Sequence, residues 1–358
     1  MSEHEMKAAE SSFTTFEPSE EALAQAVAQL VALIDAESLS GSEEPAVAAA
    51  LAICEALGLP ARRMPAGPGR DNVLAGAEDA AIVLCTHLDT VPPFIGASVD
   101  ATHVHGRGAC DAKGVAIAML HALRAVRAAS PAGAERVACL LVVGEETDHL
   151  GAKAAVAAGL RPEHVLLGEP CGLLPAVAQK GLLKLDLATT GQAGHSAYPE
   201  VGTSAVHTLL DALQALRAAA LPADAALGET TVNVGAIHGG IAANVIAPDA
   251  RASVLIRCAA PVDAVLNAVR GVLPPGVAAT EVSRAEPRDF DVLGAASDGT
   301  GPAVPFNTDA NVLAATGARL SLFGPGDMRC AHAAREKLAI ADLARGIAAY
   351  AEAVTRLL

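Results

Sequence analysis

Histidine and carboxylate side chains that follow short apolar segments are the residues of this sequence best suited to chemistry. The segment AIVLC leads into Thr-His-Leu-Asp, so His87 and Asp89 lie two residues apart. Residues two apart in an extended chain point the same way, and a carboxylate there can hold one imidazole nitrogen while the other nitrogen binds a metal ion. His-x-Asp is a short pattern, however, and an ordinary buried polar pair is the alternative interpretation.

More carboxylates and one more histidine stand in positions of the same kind. Asp111 lies in GRGACDAKG, a glycine-flanked turn before a predicted helix, where it is either a ligand or only the N-cap of that helix. Glu145 and Glu146 follow the apolar segment VACLLVV. Adjacent acids repel, so their burial would require a positive partner or a shared proton, whereas a solvated loop would require neither. Glu169 follows a third apolar segment in LLGEP, and His332 follows a glycine-proline loop in GPGDMRCAH.

The combined set is more informative than its members. Two histidines and several carboxylates match the ligands of a two-metal hydrolase, because Zn²⁺ accepts imidazole nitrogen and carboxylate oxygen and one aspartate can bridge two ions. The residues therefore predict a site for two divalent metal ions.

The predicted secondary structure would place these residues along one edge of a sheet. Short apolar segments typical of buried strands alternate with amphipathic segments typical of helices. The predicted strands are residues 81–91, 137–143 and 164–167, and the predicted helices are 20–33, 45–57, 112–128 and 151–158. This alternation indicates an α/β fold with a parallel or mixed sheet covered on both faces, and ligands of such sheets gather at the carboxyl ends of the strands.

The pattern changes near residue 180. Strands with alternating apolar and polar residues follow, and with two helices they give the order β-α-β-β-α-β of a ferredoxin-like α+β domain inserted into the first domain. The sequence thus predicts a polar, flexible lead (1–19), a metal-binding catalytic domain (20–175 and 285–358) and an inserted domain (176–284).

Composition narrows the possible partners and compartments. Lys and Arg number 25 and Asp and Glu number 40, a net charge of −15, which argues against a nucleic acid or an anionic membrane as the main partner. The 7 cysteines include no Cys-x-x-Cys pair, and the sequence has no run of about 18 apolar residues. We therefore expect a reduced, cytoplasmic protein that binds neither nucleic acid nor membrane.

Eight segments, in the same order, resemble those of one enzyme family. They are THLDTVP, GRGACDAKG, GEETDHLGA, LGEP, GHSAYPE with the preceding QKG, NVGAIHGGIAANVIAPDA, LIRCAAP and GPGDMRCAH. The family is that of acetylornithine deacetylase, succinyl-diaminopimelate desuccinylase and glutamate carboxypeptidase, dizinc metallohydrolases of the M20 peptidase type. The resemblance implies a zinc-peptidase catalytic domain whose inserted domain serves as a lid and in dimerisation.

The resemblance also implies a role for each residue of the predicted metal site. His87 and Glu169 would bind one metal ion. Glu146 and His332 would bind the other, and Asp111 would bridge the two. Zinc is the expected metal, with cobalt and manganese as alternatives that the residues do not distinguish.

Two carboxylates beside this set would act in catalysis. Asp89 would orient His87, and Glu145 would take a proton from the metal-bridging water and later pass it to the leaving amine. The position next to Glu146 suits Glu145, because the metal-bound acid stays ionised while its neighbour can gain and lose a proton.

Three residues of the inserted domain complete the assignments that the resemblance implies. His195 in GHSAYPE would reach the active site of a partner subunit and help to hold the developing oxyanion, so a homodimer is expected. Asn244 and Arg257 would bind the substrate, since a guanidinium holds an α-carboxylate through two parallel hydrogen bonds. An ordinary solvated side chain is the alternative for His195 and for Arg257.

The leading hypothesis is an amidohydrolase that removes an N-acyl group, acetyl above all, from an amino acid such as N-acetylornithine. A succinyl-diaminopimelate desuccinylase or a dipeptide carboxypeptidase shares this chemistry and differs only in the acyl pocket. The partner would then be an N-acylated amino acid or a short peptide. A catalytically silent binding module is the alternative from another class, and the complete ligand set with its general base argues against it.

Overall fold

The computed structural model describes residues 16–292 and 301–358, which form two compact units. The first unit lies within Met1–Ala176, Asp291–Gly301 and Val312–Leu358, and the second lies within Val177–Phe290 and Pro302–Asn311. Most of the predicted flexible lead, residues 1–19, lies outside the described residues.

Helices and strands alternate along the chain, as the pattern of apolar residues predicts. The strands are β1 (Ala61–Gly67), β2 (Arg70–Gly76), β3 (Ile82–His87), β4 (Ser98–Val99), β5 (His103–His105), β6 (Val137–Val142), β7 (His164–Leu167), β8 (Ala178–Gln179), β9 (Gly181–Thr190), β10 (Thr231–Gly239), β11 (Asp249–Cys258), β12 (Val277–Ala285), β13 (Arg288–Asp289), β14 (Ala303–Val304), β15 (Arg319–Leu322) and β16 (Lys337–Ala339). The α-helices are α1 (Glu20–Asp35), α2 (Glu44–Ala56), α3 (Lys113–Ala129), α4 (Pro131–Ala134), α5 (Leu150–Ala157), α6 (Ala205–Ala218), α7 (Val262–Val272), α8 (Ala310–Leu313) and α9 (Ile340–Leu357). Within residues 16–292 and 301–358, no helix combines the length and the apolar character needed to cross a bilayer.

The first unit is built on a six-stranded sheet in the order β1-β2-β6-β3-β7-β15. Strands β6, β3, β7 and β15 run parallel, whereas β2 pairs with β6, and β1 with β2, in antiparallel fashion. β3 and β6 are buried along their whole length, as expected for central strands with mainly apolar sequences. The predicted α/β fold with a mixed sheet is confirmed, and the carboxyl ends of its four parallel strands share one edge.

Small and aliphatic side chains form the core of this unit. Helix α3 packs against β3 and β6 and also contacts α1 and α9. Most of its residues are buried, with alanine and leucine prominent among them. Small side chains let the helix lie close to the sheet, and this fixes the position of the loop that precedes it.

The second unit contains a four-stranded antiparallel sheet in the order β10-β11-β9-β12. Because the chain runs β9-α6-β10-β11-α7-β12, this is the ferredoxin-like arrangement that the sequence predicts. Alternate residues of β9 are buried, and Leu183, Leu185 and Leu187 pack with apolar residues of α6 and α7 in a core of their own.

A three-stranded sheet adds residues to the second unit that lie outside the inserted domain predicted from the sequence, residues 176–284. β8 lies between β13 and β14 in this sheet. The hydroxyl of Thr308 also donates a hydrogen bond to Gln179 Oε1 at 2.7 Å. These contacts place residues 302–311 in the second unit, whereas the sequence assigned them to the catalytic domain.

Candidate metal centre

The structure brings the five predicted metal ligands together at the carboxyl edge of the six-stranded sheet. His87 is the last residue of β3, and Glu169 lies two residues beyond the end of β7. Glu146 lies in the loop that follows β6, and His332 lies in the loop that follows β15. Asp111 comes from the turn immediately before α3. Four parallel strands and one tightly packed helix therefore position the set.

These side chains form two groups that share Asp111. His87, Asp111 and Glu169 each offer one ligand atom, and these atoms lie within 4.8 Å of one another. Asp111, Glu146 and His332 form a second group that meets the same limit. Asp111 Oδ1 lies 3.2 Å from His87 Nε2, and its Oδ2 lies 3.4 Å from His332 Nε2. Each oxygen of Asp111 thus faces a different group, as a carboxylate shared by two cations requires.

The two groups differ in exposure. His87, Asp111 and Glu169 are buried, whereas the side chain of His332 is 50% exposed. His332 Nε2 lies 2.8 Å from Glu146 Oε1. The first group is therefore closed off by protein, and the second opens toward solvent.

The electrostatics of the cluster favour a bound cation. Hydrogen bonds that His332 donates to Asp111 and Glu146 raise the pKa of His332 to about 10. Burial alone would raise the pKa of Asp111, but its bonds with His332 and His87 hold that pKa well below its usual value. Burial likewise opposes protonation of His87, yet the bond with Asp111 and the nearby carboxylate of Asp89 raise its pKa well above the ordinary histidine value. A cluster with this excess of carboxylates, and with imidazole and carboxylate donors only, fits divalent ions of the zinc type.

Asp89 organises the loop that carries the adjacent acids. Its carboxylate accepts hydrogen bonds from the backbone N–H groups of Glu145 and Glu146, at 3.0 and 3.1 Å. The Ser40 hydroxyl donates a third bond at 2.7 Å. Burial favours the neutral acid, but the nearby His87 imidazole and the hydrogen bonds donated by Ser40 and by the backbone of Glu145 lower the pKa of Asp89 below its ordinary value. Asp89 is thus a buried anion that fixes the backbone on which both glutamates stand.

His87 is held by Asp89 in a way that the motif did not specify. His87 Nδ1 lies 2.9 Å from the backbone oxygen of Asp89 and 3.6 Å from its carboxylate. The carbonyl oxygen can only accept, so it keeps the proton on Nδ1 and leaves Nε2 to face Asp111. The sequence assigned this task to the side chain of Asp89.

Glu145 lies beside the two groups and belongs to neither. Its side chain is 11% exposed, and its Oε1 lies 4.0 Å from Nδ1 of His149. The neighbouring Glu146 turns toward His332 instead. The adjacent acids, to which the resemblance assigns different roles, therefore occupy different environments.

Two of the three predicted residues of the second unit lie together. His195 forms an isolated β-bridge with Val245, and the backbone oxygen of Asn244 accepts a hydrogen bond from Ser196 N at 3.1 Å. The backbone N–H of Ala197 donates to His195 Nδ1 at 3.1 Å. Because Nδ1 accepts, the proton of the neutral ring sits on Nε2, and the exposed imidazole presents a hydrogen-bond donor.

Arg257 lies at the other end of the same sheet. It pairs with Leu182 near the start of β9, whereas His195 follows the end of β9 and Asn244 precedes β11. Eight residues separate Asp249 from Arg257 along β11, which at roughly 3.3 Å per residue corresponds to about 26 Å. The second unit therefore holds its predicted substrate residues at two separate ends.

Sequence reasoning missed three polar residues that hold the site in place. Ser40 bonds to Asp89 across 49 residues of sequence, and the buried pair Arg107 and Glu336 is separated by 229 residues. No local pattern marks such pairings. The one signal is that Arg107 lies within GRGACDAKG and that Glu336 follows His332 by four residues.

The sequence matches known hydrolases over most of its length. The pattern of peptidase family M20/M25/M40 matches residues 83–356. A peptidase M20 domain-containing protein of Schizosaccharomyces pombe is 32% identical over 329 residues, which cover 89% of this chain and 81% of that protein. A probable carboxypeptidase of Aspergillus terreus is 36% identical over 320 residues, which cover 78% of this chain and 72% of that protein.

Solved structures share the fold. A tripeptidase from Staphylococcus aureus aligns with a TM-score of 0.76 at 19% identity, over 94% of this chain and 98% of that one. A dinuclear metal-binding peptidase of the M20 family from Bacillus subtilis aligns with a TM-score of 0.66 at 14% identity, over 94% and 98% of the two chains. The matched range, residues 83–356, contains all five clustered residues and Glu145, and the chain is a hydrolase that belongs to peptidase family M20/M25/M40.

Proposed function

We propose that the chain is a two-metal amide hydrolase whose substrates are short peptides or N-acylated amino acids with a free carboxylate. The observation that carries the proposal is the pair of three-residue groups sharing Asp111 beside Glu145. His87 and Glu169 would bind one ion. Glu146 and His332 would bind the other, with Asp111 common to both. Zinc fits the donor set best, and cobalt or manganese fits the same ligands.

Glu145 would move the protons of the reaction. Bound divalent ions supply Lewis acidity that polarises the scissile carbonyl and acidifies the attacking water. Glu145 would accept the proton of that water and deliver it to the leaving amine, so one carboxyl group acts first as base and then as acid. The hydrogen bonds that the backbone N–H groups of Glu145 and Glu146 donate to the Asp89 carboxylate keep the proton carrier and the ligand in fixed relative positions.

Short peptides with a free C-terminal carboxylate are the favoured substrates. Relatives more than 30% identical include a protein named a probable carboxypeptidase, and Arg257 offers the bidentate donor that a terminal carboxylate needs. Deacylation of N-acetylornithine breaks the same kind of bond and requires the same carboxylate clamp. It remains the second substrate hypothesis, and desuccinylation the third.

A substrate panel tests the proposal. Dipeptides, tripeptides, N-acetylornithine and an N-succinyl amino acid would be incubated with the protein, and the released amines measured with and without a metal chelator. Turnover that the chelator abolishes and that added Zn²⁺, Co²⁺ or Mn²⁺ restores is expected for at least one carboxylate substrate. Equal rates with and without chelator would refute the metal mechanism.

We further propose a homodimer in which His195 of one subunit serves the site of the other. A dipeptide spans at most about 7 Å, so one small substrate cannot reach both ends of a sheet whose strand β11 extends about 26 Å from Asp249, at the end nearer His195, to Arg257. The edge strand β10 and helix α6 also expose apolar side chains, among them Ile237 at 53% and Leu210 at 50%. An apolar edge of this kind suits pairing with a second copy.

Subunit mixing tests this arrangement. His195→Ala and Glu145→Gln proteins, each inactive alone, would be mixed under conditions that allow exchange. A heterodimer then contains one site with both groups intact, and random pairing predicts recovery of about a quarter of wild-type activity. No recovery, with exchange verified by mass spectrometry, would contradict the cross-subunit role of His195.

A further inference from the structure

The carboxylate of Glu336 holds the backbone of the loop that carries Asp111. Its Oε1 accepts hydrogen bonds from the N–H groups of Gly108, Cys110 and Asp111 at 3.0, 3.2 and 3.1 Å. One oxygen thus fixes three amides of a glycine-rich turn that precedes α3. The side chain of Glu336 is wholly buried, at 0% exposure, so water does not compete for these bonds.

Arg107 neutralises Glu336 and extends the contact to the loop of His332. Its Nη1 donates to Glu336 Oε2 at 2.6 Å, and the Arg107 side chain is 2% exposed. The same guanidinium donates to the backbone oxygens of His332 and Ala333, at 3.4 and 3.3 Å. A single buried ion pair therefore connects the loops of two of the clustered residues.

The loop of His332 needs such support. His332 has a φ of 61°, in the left-handed region that residues other than glycine rarely adopt, and its side chain is half-exposed. Few packing contacts hold an exposed side chain, so the backbone must set its direction. The bond from Arg107 to the His332 carbonyl acts directly on that backbone.

Stability alone does not account for the pair. Burying two charges costs desolvation energy, and apolar residues of similar volume usually stabilise a core as well or better. What an apolar pair cannot do is bind three amides and two carbonyls in one fixed geometry. The arrangement is the kind of outer contact that orients the ligands of a metal site.

We propose that Glu336, together with Arg107, is a positioning residue that sets the affinity of the metal centre by fixing Asp111 and His332. The inference rests on the two-metal site proposed above. It assigns different effects to the two residues. Glu336 acts on Asp111, which both groups share, so the loss of Glu336 weakens the binding of both metal ions. Arg107 acts on His332. Its replacement by lysine, which keeps the charge, therefore weakens mainly the binding of the ion held by His332 and Glu146.

Metal titration of four proteins tests the proposal. Wild type, Glu336→Gln, Arg107→Lys and Leu30→Ala would be stripped of metal and titrated with Zn²⁺ against a chromophoric chelator, and with Co²⁺ while its visible absorption is recorded. Leu30 is fully buried in α1 within the hydrophobic core, and its truncation removes core packing without removing a polar group of the Arg107–Glu336 pair. Circular dichroism spectra and melting temperatures of the metal-free proteins would show whether each variant folds.

The expected results separate positioning from general destabilisation. Glu336→Gln should raise both dissociation constants by about 10- to 100-fold and change the Co²⁺ spectrum of both sites. Arg107→Lys should raise one dissociation constant by about tenfold or more and leave the other within about twofold of the wild-type value. Leu30→Ala should lower the melting temperature and keep both constants within about twofold of wild type.

Three outcomes would overturn these assignments. A Glu336→Gln protein that is folded and keeps both wild-type constants removes the positioning role, and so does a Leu30→Ala protein that loses affinity to the same degree. If Glu336→Gln does not fold, the Arg107→Lys protein still tests the proposal. Its assigned effect is contradicted if the affinities for both metal ions fall equally, or if neither affinity falls. Wild-type protein that binds fewer than two equivalents refutes the metal site itself, a failure of the proposed function that the wild-type titration identifies before any variant is compared.

Discussion

Replacing Glu145 and Glu146 one at a time should separate catalysis from metal binding. The two acids are adjacent in sequence, and glutamine preserves the size of each side chain. Glu146 Oε1 lies 2.8 Å from His332 Nε2, within a group that also includes Asp111, whereas Glu145 belongs to neither group with Asp111. The structure therefore predicts opposite effects for two chemically identical substitutions.

The magnitudes follow from these positions. Glu145→Gln removes the proton carrier and should reduce kcat by about 10²- to 10⁴-fold, or roughly 3–5 kcal/mol of barrier, with two metal equivalents retained. Glu146→Gln leaves the second group with Asp111 and His332 as its remaining members, and an amide is a weaker ligand than a carboxylate. We expect this variant to retain about one equivalent after dialysis, because the group of His87, Asp111 and Glu169 is untouched.

Metal content by atomic emission and initial rates on the best substrate of the panel would be measured on the same dialysed samples. Rates would also be measured with excess Zn²⁺, which should partly restore Glu146→Gln and leave Glu145→Gln unchanged. A Glu145→Gln protein that keeps more than about a tenth of wild-type kcat would refute the role of Glu145 as proton carrier. Loss of metal from Glu145→Gln, with two equivalents kept by Glu146→Gln, would refute the assignment of the two acids.

Three further predictions concern stability. Asp89→Asn should lower the free energy of unfolding by about 2–4 kcal/mol in a urea titration, because one of its donors would face an amide N–H₂ in a buried site; a loss below about 1 kcal/mol would contradict the network described for Asp89. Burial, with the nearby charge of Arg124, lowers the pKa of His121 to about 4, so as pH falls the unfolded chain binds the proton first, near pH 6.5, and stability is lost from there toward pH 4. His121→Leu should therefore lose about 2 kcal/mol less stability than wild type between pH 7 and pH 5, and equal slopes for the two proteins would argue against this origin. Removing metal with a chelator should lower the melting temperature, since an ion present at 100 times its dissociation constant stabilises the fold by about 2.7 kcal/mol, and an unchanged melting curve on adding Zn²⁺ would count against the site.

The parts of this fold that sequence could predict are those encoded over a few residues. The mainly apolar sequences of β3 and β6 specify central parallel strands, and polar residues that end or follow such a strand must emerge at the carboxyl edge. This is why the sequence places His87, at the end of β3, and Glu146, in the loop after β6, at the same edge. Alternating burial in β9 likewise marks a sheet with one covered face, which the residue pattern of the second unit indicated.

The remaining features depend on contacts between distant segments. The strands β8 and β14 are two residues long, too short to leave a pattern, so the allocation of residues 302–311 to the second unit could not be foreseen. The bond from His87 to the backbone oxygen of Asp89 has no sequence signal at all, because every residue has a carbonyl. Arg107 and Glu336 each look like an ordinary charged residue until the fold buries both.

The features that the sequence did not predict relate to function through buried charged side chains. Asp89 and Glu336 are both fully buried, and each accepts backbone N–H groups of a loop that carries clustered residues. Loops at a sheet edge are otherwise the most mobile parts of such a fold, and two cations bound by carboxylates from different loops require positions fixed to a fraction of an ångström. A buried anion meets this need because its bonds to several amides have little competition from water. The desolvation cost of such anions is therefore best understood as a requirement of the metal centre and not of the fold, since each one binds the backbone of a loop that carries candidate metal ligands.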